Sequence, residues 1–192
     1  MPLIKSFKEM SPKKRKRLID DILDTLRVVC VTFTVIIICH TFIGRIAWVD
    51  GQSMETTLYD GDMLILWSLG YSPAQGDIVA CNSYGLGKVI IKRIVAVGGQ
   101  EVTIDFNAGK VYVDGKEFLV DGIENITTRN EGRAVEHLRV PRGKYFVMGD
   151  NRQHSTDSRD ERVGFIDRDD ILGKALLRVL PPKPINNRMI TE

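Results

Sequence analysis

Val89-Ile90-Ile91-Lys92-Arg93-Ile94-Val95-Ala96-Val97 is the stretch on which the reading of this chain turns. Its β-branched composition favours an extended backbone, and alternation places Ile90, Lys92, Ile94 and Ala96 on one face with Arg93 among valines on the other. Both faces are apolar, which predicts a strand covered on both sides. Two adjacent cations in such a strand would each cost several kcal/mol if desolvated without compensation. A lysine can escape that cost by losing its proton, because desolvation lowers its pKa and leaves a neutral amine. An arginine cannot, so Arg93 calls for a carboxylate partner. On these residues alone, Lys92 reads equally well as an edge-strand charge that discourages aggregation.

Outward from this stretch the chain repeats short β-branched and apolar runs separated by Gly, Asp and Asn, at 63–67, 77–80, 102–104, 111–113, 117–120, 138–140, 145–148 and 176–179. These predict strands and turns. Asp114-Gly115 between two of them predicts a tight hairpin, since both central residues of a type I′ turn need positive φ. Residues 121–136 are polar and aperiodic, the pattern of an inserted surface excursion. Pro181, Pro182 and Pro184 end the fold and open a tail over 181–192. The expectation is a mainly β domain over 50–180.

The N-terminal quarter differs. Residues 28–49 are apolar apart from a few Thr, His40 and Arg45, and as a helix they would be roughly 33 Å long at ~1.5 Å per residue. That length predicts a transmembrane signal-anchor, with Arg45 and Trp48 at its far end. Lys13, Lys14, Arg15, Lys16 and Arg17 would hold the 1–27 tail in the cytoplasm under the positive-inside rule, leaving the β-rich domain outside. The predicted location is the cell membrane, crossed once.

Charge and composition narrow the remaining classes. The tail carries 8 of the 27 Lys/Arg and 4 of the 25 Asp/Glu, leaving 19 against 21 beyond it, so the domain has no basic excess with which to bind nucleic acid. Cys30 and Cys39 fall in the apolar segment and leave Cys81 alone in the domain, so no disulfide framework forms there. His40, His137 and His154 are scattered without metal-ligand spacing, and no bound metal is expected.

Three segments carry the residues of chemistry: Gly51-Gln-Ser53-Met-Glu-Thr-Thr-Leu58; the Lys92-Arg93 strand; and Met148-Gly-Asp150-Asn-Arg with Ser155-Thr-Asp157-Ser-Arg159. Alone, the first reads as a turn and the third as a polar loop folded about its own hydrogen bonds. Taken in order, the three resemble the serine, lysine and third boxes of the type I signal peptidases. Gly76-Asp-Ile-Val79, Gly98-Gly99, Gly164-Phe-Ile166 and Gly173-Lys-Ala175 extend the likeness to about Leu180.

The resemblance implies a β-rich catalytic domain without metal or organic cofactor. It implies Ser53 as nucleophile, Lys92 as general base and the Ser53 N–H as oxyanion donor. Ser155 is expected to orient Lys92, while Asp157, Arg159 and Arg93 form an ion-pair network, with Asp150 also in support. The implied substrates are signal peptides of exported preproteins, cut after small residues in an Ala-x-Ala-like pattern. The implied partners are the lipid bilayer and the secretion translocon. Thr56 and Gly98 stand where the family usually has proline, and Gly51 where some members carry a serine. A self-cleaving serine-lysine protease and a silent domain that binds exported proteins are the alternative readings.

Overall fold

A computed structural model of the protein describes residues 11–38, 44–120, 137–185 and 189–190, in two units that divide after residue 43. The first unit is described by one helix, α1 (Pro12–Ile38), in which no residue is buried. Asp20, Asp21, Asp24 and Arg27 charge its first two thirds, so its uncharged portion is only 28–38, about 16 Å at ~1.5 Å per residue against the ~30 Å of a bilayer core. Among the described residues no helix is long and apolar enough to cross a membrane. Cys39 and His40 lie outside the described residues.

The second unit is built around residues 88–97. The Lys88–Val97 strand is buried continuously from Ile90 to Ala96, because Val95 and Ala96 pack into one apolar cluster, Ile91 into a second and Ile90 and Ile94 into a third. Each fully buried Val or Ile side chain contributes about 1.5–3 kcal/mol relative to exposure. In chain order the strands are β1 (Gly44–Trp48), β2 (Met63–Trp67), β3 (Ile78–Ser83), β4 (Lys88–Val97), β5 (Glu101–Asp105), β6 (Lys110–Val113), β7 (Lys116–Glu117), β8 (Leu119–Val120), β9 (His137–Arg139), β10 (Lys144–Met148), β11 (Ile166–Asp167), β12 (Ile171–Leu180) and β13 (Met189–Ile190). A seven-stranded sheet runs β1-β2-β12-β3-β4-β10-β11, a four-stranded sheet runs β7-β6-β5-β9, and β8 pairs with β13. The Asp114-Gly115 turn between β6 and β7 has φ of +50° and +77°, as the hairpin signal requires.

Three expectations need correction. Residues 44–48 do not continue an apolar helix; they form β1 and pair residue for residue with β2, from Gly44 opposite Trp67 to Trp48 opposite Met63. Val49, expected to end the span, is a core residue at 5% exposure whose N–H donates to the Asp62 carbonyl. The cause is that summed hydropathy is blind to period, and 45–49 is an alternating strand. The 181–192 segment is not simply a tail, because Met189 and Ile190 return to pair with Val120 and Leu119. The 117–120 run is two short strands with Phe118 buried between them. The 121–136 excursion falls outside the described residues.

Gly98 has a structural reason. A Cβ built there would meet the Pro141 carbonyl oxygen at 2.8 Å and Arg142 Cα at 2.9 Å. The turn before β10 presses on this backbone and leaves no room for a side chain.

Candidate active site

The seven-stranded sheet places β4 beside β10 over only part of its length. β10 pairs with β4 from Tyr145 opposite Val97 to Met148 opposite Arg93, and beyond Met148 the chain turns away into the polar loop 149–160. The 88–92 half of β4 therefore has no strand on that side among the described residues. The segment after β1 faces it across a cavity of about 300 Å³, with Ser53 and Met54 on one wall and Ile90, Ile91 and Lys92 on the other.

Lys92 Nζ lies 2.6 Å from Ser53 Oγ and 3.1 Å from the Ile91 carbonyl oxygen. The lysine is 4% exposed. Burial holds its pKa below the ordinary 10.5, against the opposing pull of the Asp157 carboxylate. One amine hydrogen satisfies the Ile91 carbonyl, and in its neutral form the nitrogen has a lone pair to offer the serine hydroxyl. The Ser53 N–H has no partner among the described residues, which leaves it free to donate. Cys81, also buried in this sheet, is pushed up to about 12 by burial and stays a thiol.

The segment that carries Ser53 is pinned by the polar loop. Asn151 N–H donates to the Ser53 carbonyl and Asn151 Nδ2 to the Gln52 carbonyl, at 3.1 Å each. Gly149 approaches so closely that a Cβ there would collide with the Ser155 hydroxyl and the Ser53 carbonyl oxygen. We expect Gly149→Ala to lower kcat/KM at least about tenfold, since misplacing reacting groups by about 1 Å costs on the order of a hundredfold. Steady-state kinetics on protein shown by circular dichroism to be folded checks this.

The supporting residues are brought together, with two differences from expectation. Ser155 Oγ donates to Asp157 Oδ2 at 2.6 Å, and among the described residues Lys92 Nζ bonds Ser53 Oγ and the Ile91 carbonyl in place of the expected Ser155. The expected single network is two pairs. Arg93, fully buried, makes a two-pronged contact with Asp150 at 2.8 and 2.7 Å, and Arg159 makes the matching contact with Asp157, at 2.8 Å to each oxygen. Burial works to raise the Asp157 carboxyl, but Arg159, the Ser155 hydroxyl and the Gly149 N–H together hold it below the usual carboxylate range.

Two residues were missed. Thr57 donates its hydroxyl to Asp150 Oδ2 at 2.6 Å, and Arg152 is 2% exposed with Nε donating to the Gly149 carbonyl. Burial draws its guanidinium down to about 10, still charged near neutrality. Nothing in the local sequence separates Thr57 from a surface threonine; Arg152 could have been suspected because it sits inside the third box. Among the described residues no three His, Cys, Asp or Glu side chains converge as metal ligands do.

This geometry can be set beside known proteins. A sequence model described as signal peptidase, peptidase S26, matches residues 22–180. The chain belongs to that family. It is an enzyme of the type I signal peptidase class, a serine protease. A probable signal peptidase I-1 of Synechocystis sp. is 32% identical over 169 residues, covering 82% of each chain. Signal peptidase I P of Bacillus subtilis subsp. natto is 30% identical over 181 residues, covering 88% of this chain and 94% of its own. A crystal structure of a signal peptidase I from Enterococcus faecalis V583 is 28% identical, covering 54% of this chain and 97% of its own, with a TM-score of 0.45. The family match begins inside α1 and runs to the end of β12, so the serine, lysine and polar-loop segments all lie within it.

Proposed function

We propose that this signal peptidase family member cuts exported preproteins at the membrane surface with Ser53 as nucleophile and Lys92 as general base. The observation that carries the reading is the 2.6 Å contact between a serine hydroxyl and a buried lysine whose amine is biased toward neutrality. Ser53 Oγ attacks the scissile carbonyl carbon as its proton passes to Lys92 Nζ. The Ser53 N–H donates to the oxyanion that forms. Collapse breaks the C–N bond, Lys92 returns the proton to the leaving amine, and an ester joins substrate to Ser53. Water then attacks that ester, giving its proton to Lys92; the ester C–O bond breaks, Lys92 returns the proton to Ser53 Oγ, and the acid product leaves.

The unpaired 88–92 edge of β4 suits an extended peptide, which would add as a strand. The cavity between the walls is lined near the dyad by Met54 and Ile91, a shallow apolar site that accepts a methyl side chain and meets a larger one with a clash. Cleavage after Ala-x-Ala is the expected outcome.

Two features support work at a lipid surface. The 28–38 portion of α1 exposes Val31, Phe33, Ile36 and Ile37, apolar surface that a bilayer would cover, with the 13–17 basic cluster on the cytoplasmic side. On the outer face of the large sheet, Ile46, Ile65 and Leu177 are cross-strand neighbours, as are Trp48, Met63 and Leu180. Four of these six, Ile46, Trp48, Leu177 and Leu180, are more than half exposed. Contact with the secretion translocon is carried by the resemblance alone. Nothing among the described residues favours the self-cleaving or silent readings.

The test is full-length protein in detergent acting on a preprotein with an Ala-x-Ala site, and on versions with Leu in place of either Ala. We expect one cut after the second Ala, and a loss of at least about tenfold to two-hundredfold with either Leu, since a single methylene in a fitted apolar pocket is worth that much. Equal cleavage of all three would overturn the small-residue reading.

A further inference from the structure

The two walls of the groove meet a second time, away from the dyad. Lys88, the first residue of β4, reaches Asp50 on the facing segment at 3.5 Å, with side chains 58% and 87% exposed. Asp50 stands three residues before Ser53, and Lys88 four before Lys92. Along β4, at ~3.3 Å per residue, the ion pair is therefore about 13 Å from Lys92, the length of about four extended residues. Between the two contacts the walls carry Gly51 and Gln52 on one side and Val89, Ile90 and Ile91 on the other, with no charge. The cavity's remaining ionisable residues are otherwise engaged. Arg162 is held by Asp160 at 2.7 and 3.0 Å, and His154 Nδ1 lies 3.2 Å from Asn151 Oδ1.

Resting on the reading that this groove holds the residues before the cut, we propose that Asp50 and Lys88 form a charge-reading subsite for the substrate residue four or five positions upstream of the cleaved bond. The intact pair presents both signs. A carboxylate on the substrate gains Lys88 and displaces Asp50, while an ammonium does the reverse, so the parent discriminates little between them. Removing either partner leaves the other to select the opposite charge.

The test uses the full-length protein in detergent and peptides with one Ala-x-Ala site carrying Asp, Gln or Lys at the fourth or fifth upstream position. The readout is the ratio of kcat/KM for the Asp peptide over the Lys peptide. Within each variant this ratio cancels any change in the folded fraction. Asp50→Asn is expected to move the ratio toward Asp by about threefold to fivefold, and Lys88→Gln toward Lys by a similar factor, the scale of an exposed charge pair. Both shifts should shrink in high salt. Ratios that stay at the parent value in both variants, or that move the same way, would overturn the subsite. Failure of the parent to cut even the Gln peptide would instead overturn the peptidase reading beneath it, a result that leaves no ratio to measure and so cannot be confused with the first.

Discussion

Ser53→Ala and Lys92→Met are each expected to lower kcat/KM for preprotein cleavage by about a thousandfold or more, and the double variant to be no worse than either alone. The reason is that the two side chains act as one unit. Without the hydroxyl there is no atom to acylate. Without the amine, the hydroxyl, 2.6 Å from where Nζ stood, has no nearby group to take its proton. Asp157 cannot substitute, because its carboxylate accepts from Ser155 and Arg159. Steady-state rates, with residual ester trapped by acid quench and weighed by mass spectrometry, check the claim. An acylated Lys92→Met protein would remove the lysine from the attack, and additive losses would contradict a shared step.

The second large effect is on stability. Asp150→Ala is expected to destabilise the domain by about 3–5 kcal/mol, the cost of leaving one partner of a buried pair uncompensated. The Arg93 and Asp150 side chains are 0% and 1% exposed, Arg93 also donates to the Gly76 carbonyl, and Thr57 donates to Asp150. The alanine would strand a guanidinium and a hydroxyl together. Replacing both residues by apolar ones, Arg93→Met with Asp150→Leu, should recover much of that loss, since the ion pair itself is worth little once its desolvation is counted. Urea unfolding of the full chain in detergent, comparing the single and double variants, decides it. A double variant less stable than Asp150→Ala would show that the pair contributes more than it costs to bury.

Much of this could be seen in the sequence because it rests on local pattern. The alternation in 89–97 located the buried strand, and the energetic awkwardness of Lys92-Arg93 inside it called for a carboxylate beside Arg93 and made a neutral amine one of two readings of Lys92. The identity of that carboxylate was less accessible. Asp150 and Asp157 both lie in one polar loop, and which of them meets Arg93 depends on where β10 ends, at Met148 opposite Arg93. Thr57 was hidden for the same reason, its role set by a partner 93 residues away. The error over 44–49 has a different origin. Gly-Arg-Ile-Ala-Trp is apolar enough to extend a hydropathy window but alternates as a strand, and its exposed Ile46 and Trp48 mimic the end of a span. β11 and β13 are two residues each, too short to show a period.

The proposed chemistry requires Lys92 to be a neutral base near the working pH. The direct measurement is a titration of the Lys92 side chain in the folded protein, by the ε-carbon chemical shift of labelled lysine assigned through Lys92→Met, set beside the pH dependence of kcat/KM. Burial lowers this pKa, so the amine should lose its proton below 10.5, and activity should rise with pH through the same midpoint as the base becomes available. A midpoint at or above the ordinary lysine value, or a rate that climbs through a different one, would contradict the assignment of Lys92 as the base.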